Sequence, residues 1–200
     1  EKYDEWKDDK NMISDVMRFL DNVLSDFIER APDQFSDAKY SAEKERSVGL
    51  GVMGLHSYFQ KNMIPLESVM SKVWNKKIFK HIQEQVDKAS RDLAEERGAC
   101  PDADDYGFKE RFSNKTAIAP TASISIICGG ASPGVEPVAG NSYTHKTLSG
   151  SYNVKNRYLE KLLEKYGKND DETWSSITTN QGSVTHLNFL TKVEKDVFKT

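Results

Sequence analysis

Apolar residues in the first third of the chain recur at three- and four-residue steps. Ile13, Val16, Met17, Leu20, Val23, Leu24, Phe27 and Ile28 trace one stripe, which predicts an amphipathic helix over 12–30. Pro32 ends it, and the polar residues 31–46 read as a surface loop. The short apolar run from Val48 to Val52 predicts a buried strand leading into a short helix over 55–60, which Pro65 breaks. Ser68 is placed to cap a long helix whose inner stripe would be Val69, Val73, Ile78, Ile82, Val86, Ala89 and Leu93, with Gly98 as its stop. DADDYGFKERFSNK reads as a charged connector. TAIAP (116–120) predicts a second strand, and residues 123–128 fit either a strand or a helix start. Residues 129–138 are irregular by their glycines and prolines. An amphipathic helix is expected over 154–166, a short one over 170–178, and a last one capped by 187–190. Helices alternating with short strands predict an α/β fold with parallel strands, in a single partial domain spanning 1–200.

Composition sharpens this picture. Of 200 residues, 37% are hydrophobic and 30% charged, so the chain is hydrophilic, yet three Trp, eight Tyr and nine Phe are enough aromatic mass for a core. The net charge of −3 gives no global reason to expect nucleic-acid binding. Two cysteines, Cys100 and Cys128, form no CxxC pair and no disulfide scaffold. The default location is cytoplasmic and reducing, with no signal peptide and no membrane span expected. Both ends read as cuts within a longer polypeptide.

Three features invite chemistry. Gly49, Gly51 and Gly54 spell G-x-G-x-x-G, but AEKERS precedes the first glycine where a dinucleotide fingerprint needs an apolar strand, so close packing is the favoured reading. His56, His81, His145 and His186 share no metal-like spacing, and His56 and His81 read as partly exposed helix side chains. Both thiols read as inert and buried. The third feature is PTASISIICGG, a small, uncharged stretch in a charged chain. Its first residues could offer backbone N–H groups and hydroxyls to an anion at a helix N-terminus. On composition alone a capped, buried turn is the favoured reading.

KTAIAPTASISIICGGASPGVEPVAGNSYTHKTLSGSY, preceded in order by ERSVGLGVMGLHSYF and AEERGACPD, resembles the large catalytic subunit of class I ribonucleotide reductase, in its bacterial and phage forms above all. The likeness runs at least from Arg46 to Lys155. It implies that the chain is the later part of a ten-stranded α/β barrel. It further implies that Pro120, Thr121, Ala122, Ser123 and Ile124 bind the substrate diphosphate, with Ile124 standing where some relatives carry a hydroxyl. Apolar residues behind them would form a water-excluding wall.

Neither Cys100 nor Cys128 lies in the family's radical-cysteine motif or its redox pair. The resemblance therefore implies that no catalytic residue, metal or cofactor is held by this chain. The remaining segments of the large subunit would be its partners, together with a metal-containing small subunit that generates the radical and a nucleoside diphosphate substrate; no membrane or nucleic acid is implied. Two alternatives remain: a segment of the adenosylcobalamin-dependent class, which shares GLGVMG and a similar loop, and a non-catalytic scaffold fragment.

Overall fold

The computed structural model describes the backbone of residues 1–147 and 150–200, and the side chains of all of these except 145–147. Among the described residues there are ten α-helices and one two-stranded sheet. The helices are α1 (Tyr3–Trp6), α2 (Met12–Arg30), α3 (Ser36–Glu45), α4 (Leu55–Lys61), α5 (Val69–Arg97), α6 (Pro101–Asp105), α7 (Ala122–Ile127), α8 (Arg157–Lys165), α9 (Asp171–Thr179) and α10 (Lys192–Val197). Strands β1 (Ser142–Thr147) and β2 (Gly150–Lys155) pair antiparallel, with Ser142 opposite Lys155 and Thr147 opposite Gly150. The fold is helix-rich with a small sheet. No helix of the described residues is long and apolar enough to cross a membrane.

The chain divides into two compact units that alternate along the sequence. One comprises residues 2–51 and 76–119, the other Glu1, 52–75 and 120–200. In the first, α2 buries Ile13 and Met17, and α5 buries Ile78, Ile82, Val86, Ala89 and Leu93. The stripe of α2 is interrupted by a fully buried carboxylate, Asp21. Arg46, Arg97 and Arg111 converge on it, at 2.7, 2.8 and 2.8 Å. Arg46 closes α3 in the left-handed conformation (φ 44°), and its guanidinium also reaches the Asp21 carbonyl and the Ser25 hydroxyl. Burial pushes the Asp21 carboxyl up, but hydrogen bonds from Arg111, Arg46 and Arg97 outweigh it and hold the group below the usual carboxylate range. Arg111 also donates to the carbonyls of Arg97 and Gly98, so the last turn of α5 is capped by the same cluster.

In the second unit, α8, α9 and α10 enclose Leu159, Leu162, Leu163, Trp174, Ile177, Val184, Leu187, Leu190, Val197 and Phe198. Each of these helices has a side-chain cap. Asn156 accepts from Tyr158 and Leu159, Asp170 from Thr173, and Thr191 forms a reciprocal capping box with Glu194. Asn156 and Asn141 also tie the sheet to the helices. Asn156 donates to Gln60 and Asn141, and Asn141 donates to the carbonyls of Gly182 and Phe198.

Several expectations change. The stretch 31–46 is not a loop: a 3₁₀ turn (Asp33–Phe35) leads into α3, which buries no residue and so shows no apolar period. The strands expected at 48–52 and 116–120 run parallel but pair only as the bridge Leu50–Thr116, flanked by hydrogen bonds from Val48 to Asn114 and from Ala117 to Leu50. Val69 and Val73 are exposed, so the inner stripe of α5 begins at Ile78. The connector over 102–115 contains most of α6. Residues 154–155 belong to β2, and the helix begins at Arg157. The stretch 187–190 is a turn, and Thr191 is the cap of α10. Part of the YTHKTLSGS motif, Leu148 and Ser149, lies outside the described residues, as does the side chain of His145.

Candidate functional site

Residues 120–138 form a helix and a turn rather than a strand. Thr121 has a left-handed backbone (φ 51°) and stands at the N-cap of α7. For a β-branched residue this conformation is strained and needs support from outside. The support is a hydrogen bond from the Gly134 N–H to the Thr121 hydroxyl, 2.8 Å. The first intrahelical bond of α7 runs from the Ser125 N–H to the Thr121 carbonyl, 2.9 Å. The N–H groups of Ala122, Ser123 and Ile124 therefore point out of the helix end, where helix geometry provides no acceptor. Pro120, Ala122, Ser123 and Ile124 are exposed and Thr121 is half-buried. All five predicted site residues thus share one turn, and three of them present backbone donors to solvent without a neighbouring Lys or Arg in the turn.

The turn behind α7 is held from α4. The Ser132 N–H donates to the Ser57 hydroxyl (2.8 Å) and the Ser57 N–H donates to the Ser132 hydroxyl (3.1 Å), a reciprocal pair in the interior. The Gly54 N–H donates to the Ser132 carbonyl (2.8 Å). The Val138 N–H donates to His56 Nδ1 (3.0 Å). His56 is fully buried, contrary to the expectation of a partly exposed side chain. Burial alone pulls its pKa down to about 4, so the ring is neutral near pH 7. With Nδ1 accepting, the proton sits on Nε2. Nothing in the local sequence distinguishes this histidine; the signal is only its place in the first turn of a helix that buries nearly every side chain.

The apolar stretch after Ser123 does not form an enclosed wall in this chain. Ile124, Ile126 and Ile127 are 56%, 39% and 83% exposed, and Cys128 is exposed as well, so only Cys100 fits the expectation of a buried thiol. A six-residue helix standing on one turn has too little surface to bury three isoleucines against it. The glycine triplet resolves to packing. A Cβ on Gly51 would lie 2.2 Å from the Ala117 carbonyl oxygen, and one on Gly49 2.9 Å from the Ala117 Cβ. The Gly54 N–H is already taken by Ser132, which leaves no pyrophosphate cradle there. Among the described residues no group of three His, Cys, Asp or Glu side chains is placed to hold a metal ion.

The ribonucleotide reductase barrel-domain model matches residues 1–110 and 102–200. The chain is 44% identical over 201 residues to the ribonucleoside-diphosphate reductase large subunit of Invertebrate iridescent virus 3, covering 99% of this chain and 32% of that protein. It is 47% identical over 204 residues to the corresponding subunit of Invertebrate iridescent virus 6, covering 100% of this chain and 21% of that protein. In structure it superposes on the alpha subunit of the class Id ribonucleotide reductase of Actinobacillus ureae with a TM-score of 0.90 at 42% identity, over 100% of this chain and 36% of that one. The chain thus spans about a third or less of the length of these relatives. With the motif blocks in order and the match running from the first residue to the last, the chain belongs to the ribonucleotide reductase barrel-domain family.

Proposed function

We propose that this chain is the later part of the catalytic barrel of a ribonucleoside-diphosphate reductase large subunit, and that the turn Pro120–Ile124 holds the diphosphate of the substrate. The reaction would be radical-based reduction of the ribose 2′-carbon. The radical cysteine would come from barrel segments outside this chain, and the radical itself from a metal-containing small subunit. The ten-stranded barrel would be completed by those same segments, with the parallel Leu50–Thr116 pairing as one of its contacts.

The observation that carries the reading is the first turn of α7 within a chain of this family. Three outward N–H groups, on Ala122, Ser123 and Ile124, follow a left-handed Thr121. Fixed amide dipoles bind phosphate oxygens without the reorganisation that a flexible ammonium would need. The absence of a side-chain hydroxyl at Ile124 costs one donor and leaves its backbone donor in place. The exposed isoleucines 124, 126 and 127 would acquire their water-excluding role only when other barrel segments cover them.

Ser123→Pro tests this. Position 123 is the second residue of α7, where proline is tolerated because its N–H serves no intrahelical bond. In the full-length large subunit assembled with its small subunit, the substitution is expected to raise KM for a nucleoside diphosphate by about tenfold or more, a loss typical of a charge-assisted hydrogen bond. Titration calorimetry with a nucleoside diphosphate reads the same loss as binding. Unchanged affinity in the folded variant would refute the assignment of this turn. No binding to the unsubstituted assembly would favour a scaffold role instead.

A further inference from the structure

The proposed diphosphate turn is supported by a second layer that leads back to α4. Gly134 is the link. Its N–H holds the Thr121 hydroxyl, and Thr121 is the strained residue that aims the first turn of α7. Gly134 lies between two anchors. On one side, Ser132 is fixed by three hydrogen bonds: its N–H and hydroxyl to Ser57, its carbonyl to the Gly54 N–H. On the other, the Val138 N–H is fixed by His56 Nδ1. The turn between them is closed by a bond from the Glu136 N–H to the Pro133 carbonyl. His56, Ser57 and Ser132 are 0%, 3% and 0% exposed; the reciprocal Ser57–Ser132 bonds form in the interior and the His56–Val138 bond at its edge, so both are shielded and hold their geometry. None of the three side chains belongs to the Pro120–Ile124 turn itself.

We infer that His56 and the reciprocal Ser57–Ser132 pair are positioning residues for the proposed diphosphate turn. They fix residues 132–138 so that the Gly134 N–H keeps Thr121 left-handed and the N–H groups of Ala122, Ser123 and Ile124 convergent. The inference rests on the reading of Pro120–Ile124 as the diphosphate site. Without the anchor, Thr121 relaxes toward negative φ, where threonine is unstrained, and the three donors no longer share one focus.

The test uses the full-length large subunit assembled with its small subunit and a nucleoside diphosphate as substrate. His56→Leu removes the acceptor and keeps the bulk. It is expected to raise KM by about tenfold while kcat changes by less than about threefold, because the donors are misaimed and the reacting centre is untouched. His56→Asn places a carbonyl oxygen near the position of Nδ1 and is expected to restore KM to within about threefold of the unsubstituted enzyme. Thr121→Val removes the acceptor at the other end of the strut at constant shape, and is expected to raise KM similarly. Because both act through the same strut, residues 132–138, the double variant is expected to be no worse than the worse single.

A normal KM for His56→Leu together with a raised KM for Ser123→Pro overturns the positioning role and leaves the diphosphate reading standing. A normal KM for Ser123→Pro as well overturns that reading. Failure of His56→Asn to rescue assigns His56 to packing and overturns the inference. Should His56→Leu not fold, Ser57→Ala paired with Thr121→Val carries the same cycle, with additive effects on KM counting against the inference and non-additive effects for it.

Discussion

Asp21 and the turn at 120–127 are built on opposite plans. Asp21 is a full charge in the interior, reached by three guanidinium groups and capping the end of α5 through Arg111. The turn is uncharged and largely open to solvent, and its polarity lies in its backbone and in the small hydroxyls of Thr121, Ser123 and Ser125. In the first, charge is buried and over-determined, so it fixes structure. In the second, apolar groups are exposed and the backbone donors are left available, so it is suited to receive something. The position of the unsatisfied groups, more than polarity, separates the structural cluster from the candidate site.

The largest expected effect falls on the structural side of this comparison. Asp21→Asn leaves Arg46 and Arg111 facing each other in the interior without a counter-charge, and should cost about 3–5 kcal/mol in urea unfolding followed by tryptophan fluorescence. A loss below about 1 kcal/mol would mean that the guanidiniums find other acceptors and that the cluster does not organise α2, α3 and α5.

A smaller effect comes from His56. Its folded pKa is lowered to about 4, below its ordinary value of 6.5. Between those values the unfolded chain binds a proton that the folded chain refuses, so stability is complete above pH 6.5 and falls as the pH drops toward 4. The loss should reach about 3 kcal/mol at the acid end. His56→Asn should flatten this part of the profile, and a profile unchanged by the substitution would show that His56 is not the titrating group.

The smallest effect is expected at Ile127. Exposed as it is, Ile127→Ser should change stability by no more than about 0.5 kcal/mol. A loss above about 1 kcal/mol would show that the isoleucine face is packed in solution, and the contrast with Asp21 would fail.

The strongly amphipathic parts of the fold were legible in the sequence. The α2 stripe gave its bounds, 12–30, because apolar residues recur along one face on both sides of Asp21 and Pro32 follows. Helix α3 was not legible, since a helix that buries nothing carries no period. The paired strands β1 and β2 were missed because β2 is exposed along nearly its whole length, so no alternation of polar and apolar residues marks it. For the candidate site, small residues and hydroxyls drew attention to PTASI, and the family resemblance gave it a role. The strut beneath it was invisible, because Ser57 meets Ser132 and His56 meets Val138 only when residues 75 and 82 positions apart are folded together.

The alternation of the two units along the chain sets an order of assembly during synthesis. The unit made of 2–51 and 76–119 has all its residues once position 119 has emerged, but the intervening stretch 52–75 belongs to the other unit and must wait for 120–200. At ordinary elongation rates the wait between residues 75 and 200 lasts roughly 6 to 25 s. For that interval His56, Tyr58 and Phe59, which end up in the interior, have no completed unit to enter. Helix α4 therefore offers side chains destined for the interior to holdase chaperones while the polypeptide is still on the ribosome.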